Sequence, residues 1–334
     1  MCGEKIVTSR DIAKIAGVSQ ATVSRTFNCP DKVDSQTRGK ILEVAKKMDY
    51  TPNAIAKSLV SSRTNVIGAV IEDFENPFYV SFVHKLAEKL ANNEKKVLLL
   101  PPRANESALQ LLQEAQSFRV DGLVVASALL SQQLTEKEIP LSLPVVMINR
   151  QNFSDHYCSV ASDDVSCGRA IADYFFSKKR FLQFVYVTGN PEKSSSENRQ
   201  KGYVGRLREW GVSCQNICGD YTYKGGVLAA QRLLERKMTF PVAIFAANDL
   251  MAMGIIDEIR EHSGYSIPQD ISVVGVDNIE QGSWASYNLT TMQLPTIEMI
   301  DCAFAYLNSD KASRKKFGGR HLFPCLLVER KTVV

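Results

Sequence analysis

Two short helical patterns separated by a tight turn open this chain, and they constrain its fold more than any other feature. A first helix is predicted after Thr8, because a threonine N-cap and an acid at the third helical position, Asp11, satisfy free backbone N–H groups reciprocally. Gly17 permits the turn, since glycine adopts left-handed backbone angles at little cost. Ser19 is predicted to cap a second helix that continues to about Phe27. The pattern is typical of a helix-turn-helix unit, in which the second helix enters the major groove of DNA.

The predicted second helix has an apolar inner face and a polar outer face. Val23 and Phe27 lie one turn apart and are expected to be buried. A short polar N-terminus followed by Arg25 suits contacts to base edges and phosphates, whereas Ala21 can contact at most a thymine methyl group. The DNA-contacting residues predicted in this unit are Thr8, Ser19, Gln20, Ala21, Thr22 and Arg25.

A third helix is predicted to complete the core of this unit. It is capped by Asp34 or Ser35 and continues to about Met48, before Pro52 displaces the preceding residue from helical backbone angles. Apolar stripes on the first and third helices are expected to pack together, and they consist of Ile12, Ile15, Ala16, Ile41, Leu42 and Ala45.

The segment after Pro52 is predicted to fold only on DNA. A helix of one to two turns is marginal alone in water, so we expect residues 53–64 to be an unstructured linker away from DNA. On DNA, small Ala56 permits close approach to a minor groove, Lys57 meets phosphates, and Leu59 inserts between base steps. The contacts predicted in this hinge are made by Asn53, Ala56, Lys57 and Leu59.

The charge of the chain supports a DNA-binding N-terminal unit. Residues 1–64 contain 11 lysines and arginines against 6 acids, a net charge of +5, whereas residues 65–334 contain 29 against 30. The positive charge is therefore concentrated in the predicted helix-turn-helix unit. Such a basic region attracts the phosphate backbone of DNA.

The length of 334 residues exceeds one ordinary hydrophobic core and predicts two or three domains. Apolar runs of the roughly 20 residues that span a membrane are absent from the sequence, so no membrane partner is predicted. The N-terminus lacks the apolar core of a signal peptide. We therefore expect a cytoplasmic protein.

The cysteines and histidines show no pattern of a metal or catalytic site. Of eight cysteines, only Cys214 and Cys218 are close in sequence, and no second pair or nearby histidine completes a zinc motif. The four histidines lie in unrelated contexts. The sequence therefore predicts reduced structural or surface thiols, no metal, no cofactor and no catalytic residues.

From Asn65 onward, short apolar strands alternate with amphipathic helices. The predicted strands are Val66–Ile71, Val97–Leu100, Gly122–Ala126, Val145–Ile148, Phe184–Thr188, Val242–Ala246, Ser272–Val276 and Leu322–Val328. Continuous apolar strands between helices are typical of doubly wound parallel sheets covered on both faces, and two successive sets predict two lobes.

Binding sites in such sheets lie beyond the carboxyl ends of the strands. The loops expected there are Asp73–Tyr79, Asn149–Arg150, Asp163–Asp164, Asn190–Arg199, Asn248–Asp249 and Asp277–Asn278. Their amide, carboxylate and guanidinium groups hydrogen-bond hydroxyls, and their aromatic rings stack on an apolar ring face. These loops predict a site for a polar small molecule.

Several motifs together resemble the LacI/GalR family of bacterial transcription regulators. They are DIAKIAGVSQATVSRTFN, YTPNAIAKSLVSSRTNVIGAVI, ENPFY, LPVVMINR, the R-x-x-G-Y of Arg199–Tyr203, AIFAANDLMAMG, IPQDISVVGVDN and LTTMQLP. The order and spacing of these motifs cover essentially the whole chain. The resemblance implies a homodimer whose two N-terminal units bind the half-sites of a pseudo-palindromic double-stranded operator.

The resemblance also implies a small all-α helix-turn-helix domain joined to a two-lobed α/β effector domain like the periplasmic sugar-binding proteins. The expected domains are residues 1–52, the hinge 53–64 and the effector domain 65–334. The expected N-lobe comprises about residues 65–162 and 293–321, and the C-lobe about residues 163–292 and 322–334.

By position in the motifs, Gln20, Ala21 and Arg25 match the specificity positions of the family, and Leu59 matches its minor-groove wedge. The effector-binding residues expected between the lobes are Asn76, Phe78, Tyr79, Asn149, Arg150, Arg199, Asn248, Asp277 and Gln293. Structural roles stay open for some of them, because Asp277 and Asn248 can cap helices and the two aromatic residues can pack a helix start.

The sequence thus favours a DNA-binding repressor of a carbohydrate-utilisation operon, gated by a sugar or sugar derivative. The alternative is a regulator that requires a nucleoside or purine corepressor. Assignment as a periplasmic-type sugar-binding protein would account only for the effector domain, residues 65–334. An enzyme acting on sugar phosphates would need catalytic groups that the sequence does not show.

Overall fold

The computed structural model describes residues 7–53, 63–103, 106–126, 139–140, 142–149, 157–191 and 193–334. The chain divides into two compact units, Met1–Thr64 and Asn65–Val334. The predicted contacts at Ala56, Lys57, Leu59 and Arg150 lie outside the described residues. Within the described ranges, no helix is both long and apolar enough to cross a membrane.

Over the described residues 7–53, the first unit is a bundle of three short helices. They are α1 (Ser9–Ala16), α2 (Gln20–Asn28) and α3 (Ser35–Lys47), with a 3₁₀ turn at Pro30–Lys32. The buried core consists of Ile12, Ala13, Ala16, Val23, Ile41 and Ala45. These helices confirm the predicted helix-turn-helix fold.

The sequence predicted a wider buried face on α1 and α3 than the structure shows. Ile15 is 56% exposed and Leu42 is 45% exposed, so both predictions of burial were wrong. Small helices bury only a narrow face, and Ala13 occupies that face of α1. Phe27 is half-buried and packs at 5.8 Å from the ring of Tyr50.

The second unit contains two six-stranded sheets. Strands of the first sheet run in the order β11-β5-β4-β3-β1-β2. They are β1 (Val66–Ile71), β2 (Lys96–Leu99), β3 (Gly122–Ala126), β4 (Val145–Ile148), β5 (Cys158–Ser162) and β11 (Gly319–Phe323), all parallel. The flanking helices are α4 (Pro77–Ala91), α5 (Ala108–Ser117), α10 (Thr296–Asn308) and α11 (Lys311–Phe317). We call this part the N-lobe.

The second sheet, with its helices, forms the C-lobe. Its order is β12-β10-β9-β8-β6-β7, and only β12 is antiparallel to its neighbour. The strands are β6 (Gln183–Thr188), β7 (Cys214–Cys218), β8 (Val242–Ala246), β9 (Ile271–Asp277), β10 (Thr290–Gln293) and β12 (Leu326–Val328). The helices are α6 (Asp164–Ser177), α7 (Ser194–Glu209), α8 (Tyr223–Leu234), α9 (Asp249–His262) and the 3₁₀ segment Glu280–Ser283. Two mostly parallel sheets flanked by helices confirm the predicted α/β class.

The chain passes between the lobes three times. The passages follow β5, β10 and β11. The predicted single strand Leu322–Val328 was wrong, because β11 ends at Phe323 in one sheet and β12 begins at Leu326 in the other. Pro324 lies between them and lacks the N–H that a continuous ladder needs.

Candidate functional site

The turn between α1 and α2 sets the direction of the helix predicted to contact DNA. The backbone N–H and the hydroxyl of Thr8 both donate to the carboxylate of Asp11, at 2.9 and 2.7 Å. Gly17 follows α1 with a φ of +69°, and Val18 N–H donates to the carbonyl of Ala13 at 3.0 Å. The predicted cap and glycine turn are therefore both present.

The start of α2 is held by its own side chains. Ser19 Oγ accepts from Thr22 N–H at 3.1 Å, and the two hydroxyl oxygens lie 2.8 Å apart. These two predicted DNA-contacting residues are thus engaged in the helix cap. Gln20 donates to Ser9 Oγ at 3.0 Å and accepts from Arg10 at 3.4 Å, so its amide is also held against α1.

The outer face of α2 presents side chains of different length and polarity. Ala21 and Arg25 are exposed. Ser24 and Asn28 lie on the same outer side and are hydrogen-bonded to each other at 3.3 Å. Asn53, from the predicted hinge, is also exposed. A polar helix with a projecting arginine suits base-edge and phosphate contacts.

In the second unit, the loops after several strands meet in one small cavity between the lobes. Its volume is about 30 Å³, and it is lined by Asn76, Phe78, Tyr79, Asn149, Lys193, Ser195, Arg199, Tyr221, Asp277 and Leu294. Six of these are predicted effector residues. A space of this size is of the order of one water molecule.

The backbone of these loops is strained at the cavity. Asn149, Tyr221, Asp277 and Asn278 have φ values of +54°, +74°, +121° and +52°. Such angles cost a non-glycine residue about 1–3 kcal/mol, and they persist only where surrounding contacts determine them. Asn149, Tyr221 and Asp277 line the cavity, so contacts around it hold these three backbone angles.

Arg199 is buried yet lines the cavity. It is 4% exposed, its Nε donates to Asp164 at 2.9 Å, and its Nη1 donates to the carbonyl of Ala247 at 2.5 Å. Asp164 is 2% exposed and also accepts from Ser162 at 3.0 Å. Burial raises the pKa of Asp164, and the charge of Arg199 opposes that shift. The ion pair therefore holds the guanidinium in a fixed orientation.

Two glycines bring Arg199 and Asp164 together. A Cβ on Gly168 of α6 would lie 2.2 Å from the carbonyl oxygen of Arg199, and one on Gly202 of α7 would lie 2.1 Å from that of Val165. Both distances are far below van der Waals contact. The glycine of the R-x-x-G-Y motif is thus required for the close packing of α6 against α7.

Asp277 enters the cavity from the end of β9. Burial raises the pKa of its carboxyl to about 8, and Arg199 and the Asn76 amide oppose that shift. Asn76 caps α4 by accepting from Phe78 N–H at 3.0 Å. Asn76 lies in the N-lobe and Asp277 in the C-lobe, so the cavity is lined from both lobes.

Asn149 presents an unused acceptor. Its Oδ1 is buried and has no hydrogen-bond partner among the described residues. A buried polar atom without a partner costs about 1–3 kcal/mol. A ligand hydroxyl or N–H would satisfy it.

An ion pair crosses the mouth of the cleft. Lys193 precedes α7 and Asp73 follows β1. Lys193 Nζ lies 3.6 Å from Asp73 Oδ2 and 5.4 Å from the centre of the Tyr221 ring. The lysine and the aspartate are both mostly buried. Separation of the lobes would break this ion pair.

Two other predicted residues lie elsewhere. Asn248 is 1% exposed and caps α9, accepting from Met251 N–H at 3.0 Å and donating to Tyr221 O at 2.8 Å. Its amide nitrogen and oxygen each make a hydrogen bond within the C-lobe, and Asn248 does not line the cavity. Gln293 is exposed, accepts from Asn278 at 3.1 Å and lines an adjacent open groove of about 630 Å³.

Asp249 supports the site in a way that the sequence did not reveal. Its carboxylate accepts from Thr291 at 2.5 Å and from Ile279 N–H at 2.9 Å. It is fully buried, and burial raises its pKa to about 6. Asp249 thus holds the loop that positions Asp277.

Tyr221 is a cavity residue that the sequence did not indicate. Tyr221 follows β7, whose sequence CQNIC has too few large aliphatic residues to be predicted as a strand. Lys193 and Ser195 fell within the predicted loop Asn190–Arg199, but neither was singled out.

Comparison with known proteins identifies both units. Residues 8–53 match the family described as "Bacterial regulatory proteins, lacI family", and residues 172–333 match "Periplasmic binding protein-like domain". Catabolite control protein A of Priestia megaterium is 30% identical, over 88% of this chain and 89% of its own length. The transcriptional repressor PurR of Photobacterium profundum is 32% identical over 87% of each chain. The ribose operon repressor of Escherichia coli K12 is 29% identical, over 90% of this chain and 92% of its own length.

Solved structures share the fold over the whole chain. The Lac repressor dimer bound to operator and the anti-inducer ONPF superimposes with a TM-score of 0.85 at 22% identity, covering 99% of this chain and 100% of that one. The complex of the regulator CelR with cellobiose gives a TM-score of 0.68 at 24% identity, covering 98% and 99%. Together with the sequence relatives, which are named as transcription regulators, these matches confirm the resemblance. The chain belongs to the LacI family of bacterial DNA-binding transcription regulators.

Proposed function

We propose that this regulator represses a carbohydrate-utilisation operon and that a sugar or sugar derivative, bound between the lobes, sets its operator affinity. The observation that carries the proposal is the convergence of six predicted residues on one cavity, with the unpartnered acceptor of Asn149 among them. On this proposal the protein acts in the cytoplasm, where the DNA is, and performs no catalysis.

The chemistry of the cavity suits a polyhydroxyl ligand. Asp277 and Asn149 offer acceptors, and Arg199 and Lys193 offer charged donors. Tyr79 and Tyr221 place aromatic rings beside them, which can stack on the apolar face of a sugar ring. A site with planar polar groups beside aromatic faces binds hydroxyl-rich ligands in preference to purely apolar ones.

The effector has to act through an opening and closing of the lobes. The cavity of about 30 Å³ is smaller than a sugar, so we infer that a sugar enters when the lobes move apart and the Lys193–Asp73 ion pair separates. A ligand shifts this equilibrium only by its difference in affinity for the open and closed states.

We further propose that the protein is a homodimer whose two helix-turn-helix units bind a pseudo-palindrome. The shared fold of the operator-bound Lac repressor dimer supports this assembly. Lobe movement would change the separation of the two hinges, residues 53–64, and so decide whether the wedge at Leu59 can enter the minor groove. The DNA-contacting and effector residues named from the sequence form part of this proposal.

A nucleoside or purine corepressor is the second candidate. The 32% identity to a repressor named PurR favours it. The two candidates predict opposite effects of the ligand on operator affinity, because an inducer releases the protein from DNA whereas a corepressor tightens its binding.

A thermal-shift screen tests the proposal without knowledge of the operator. The full chain is melted with sugars, sugar acids, sugar phosphates, nucleosides and purine bases, and hits are titrated by calorimetry. A ligand at 100 times its Kd stabilises the protein by about 2.7 kcal/mol. We expect a hit among the sugar compounds that is weakened by Asn149→Ala. A hit confined to nucleosides or purines would replace the first candidate by the second, and tight sugar binding unaffected by Asn149→Ala would overturn the proposed site.

A further inference from the structure

The N-lobe contains a cluster of metal-ligating side chains that is separate from the interlobe cavity. A ligand atom of Cys158, one of Cys302 and one of His321 all lie within 4.8 Å of one another. None of the three lines the cavity in the part of the chain that the structure describes. The residues are 144 and 19 positions apart in sequence, so no sequence motif indicates the cluster.

The sheet register explains how two of these residues meet. Strands β5 and β11 are parallel, with Cys158 paired to Gly319 and Val160 paired to His321. Side chains two residues apart on a strand share a face. Cys158 and His321 therefore point to the same side of the sheet.

Helix α10 supplies the third ligand. It packs against β4 and β5, and Cys302 lies near its middle. Cys158 is fully buried, while Cys302 and His321 are half-buried. Both cysteines are free thiols. The cluster is thus anchored in the core and remains accessible from one side.

The ring of His321 is held in place by Phe317. Its Nε2 lies 2.8 Å from the carbonyl oxygen of Phe317, and its ring stacks on the Phe317 ring at a centroid distance of 5.0 Å. If Nε2 carries the proton and donates to that carbonyl, Nδ1 is the lone-pair nitrogen. Metal-bound histidines commonly donate their other N–H to a backbone carbonyl in this way.

We propose that Cys158, Cys302 and His321 form a binding site for a thiophilic cation of the zinc type. Two thiolates and one imidazole are ligands that zinc prefers, and they leave a fourth tetrahedral position for water. Bond lengths of about 2.3 Å to sulfur and about 2.1 Å to nitrogen place tetrahedral ligand atoms about 3.6–3.8 Å apart. Only a small contraction of the cluster is needed. The ion would join β5, β11 and α10 and stabilise the N-lobe.

The test uses the reduced full chain and Zn²⁺ in competition with a chromophoric chelator. We expect one zinc per chain in the wild type, an upward shift of its melting temperature, and binding weakened about tenfold or more in Cys302→Ser and in His321→Gln. These half-buried positions are used because Cys158→Ser changes the core. The matched control is Cys218→Ser, an exposed cysteine of the C-lobe, which should bind zinc as the wild type does.

Cobalt(II) provides a second readout that does not depend on stability. A thiolate-to-metal charge-transfer band should appear in the wild type and lose intensity in Cys302→Ser. Less than a tenth of an equivalent of zinc on the reduced wild type, or zinc and cobalt binding unchanged by Cys302→Ser, would overturn the proposal. A Cys158–Cys302 disulfide formed on mild oxidation by a protein that binds no zinc when reduced would also overturn it.

Discussion

Replacement of Arg199 by alanine should lower the stability of the second unit and abolish its response to effector. The guanidinium is 4% exposed and pairs with Asp164, which is 2% exposed. Removing one partner of a buried ion pair leaves the other charge uncompensated and typically costs about 3–5 kcal/mol. We therefore expect the free energy of unfolding to fall by about that amount. The response to effector should also be lost, because Arg199 lines the cavity.

Two further variants isolate the buried charge as the cause. Asp164→Leu combined with Arg199→Met removes both charges and should recover most of the lost stability, since apolar replacements of a buried pair are often neutral or stabilising. It should not recover the effector response. The matched control is Arg169→Ala, which breaks the exposed ion pair with Glu209 and should cost less than about 1 kcal/mol.

The cost of Arg199→Ala should depend on pH. Burial already raises the pKa of Asp164, and loss of the arginine raises it further. Between the unfolded and folded pKa values, the folded state then binds more protons than the unfolded state, so stability falls as pH rises. The destabilisation should be smaller at pH 5 than at pH 8.

Urea unfolding followed by circular dichroism and by tryptophan fluorescence measures these differences. Operator binding by the same variants is measured by fluorescence anisotropy, with and without effector, and we expect Arg199→Ala to keep the effector-free affinity of the wild type under both conditions. An inducible protein would then stay on DNA, and a corepressor-dependent one would stay off it. A loss of stability below about 1 kcal/mol, or a double variant no more stable than Arg199→Ala, would refute the ion-pair reasoning.

Three other perturbations have defined outcomes. Arg25→Ala should weaken specific DNA binding by about 1–3 kcal/mol and binding to random DNA much less, as measured by anisotropy; equal losses would mean that Arg25 contacts only phosphate. The free energy of unfolding of the wild type, measured in urea, should fall as pH rises from about 4 to 8, because burial raises the pKa of Asp277 to about 8. Asp277→Asn should make this free energy depend less on pH. Gly202→Ala should lower the free energy of unfolding by at least about 1–3 kcal/mol, since its Cβ would lie 2.1 Å from Val165 O. The control is Gly205→Ala on the same helix, whose Cβ would have no neighbouring atom within 4 Å and which should be neutral or stabilising in a thermal melt.

Local sequence signals were sufficient for the first unit because its structure depends on contacts a few residues apart. The Thr8–Asp11 cap, the left-handed Gly17 and the Ser19 cap all act within one helical turn. The width of the buried face was mispredicted at Ile15 and Leu42. Periodicity shows which side of a helix is apolar, but the neighbouring helices decide how much of that side they cover.

In the second unit, strands rich in large aliphatic residues were predicted and the polar ones were not. The missed strands β5, β7 and β10 have the sequences CSVAS, CQNIC and TTMQ. Their strand conformation comes from pairing with neighbours in the sheet rather than from their own propensity. The missing β7 is also the reason that Tyr221 was not expected at the cavity.

The sequence by itself determined the helix-turn-helix unit, the α/β class and the loops from which Arg199 and Asp277 enter the cleft, because caps, turns and strand ends are local properties. Only the tertiary structure decided how those side chains are used. It paired Arg199 with Asp164, joined the Asn248 amide both to the start of α9 and to the carbonyl of Tyr221, and brought Cys158 to Cys302 and His321. Such contacts depend on the register of strands and the close approach of helices that are distant in sequence, and local propensity carries no information about either.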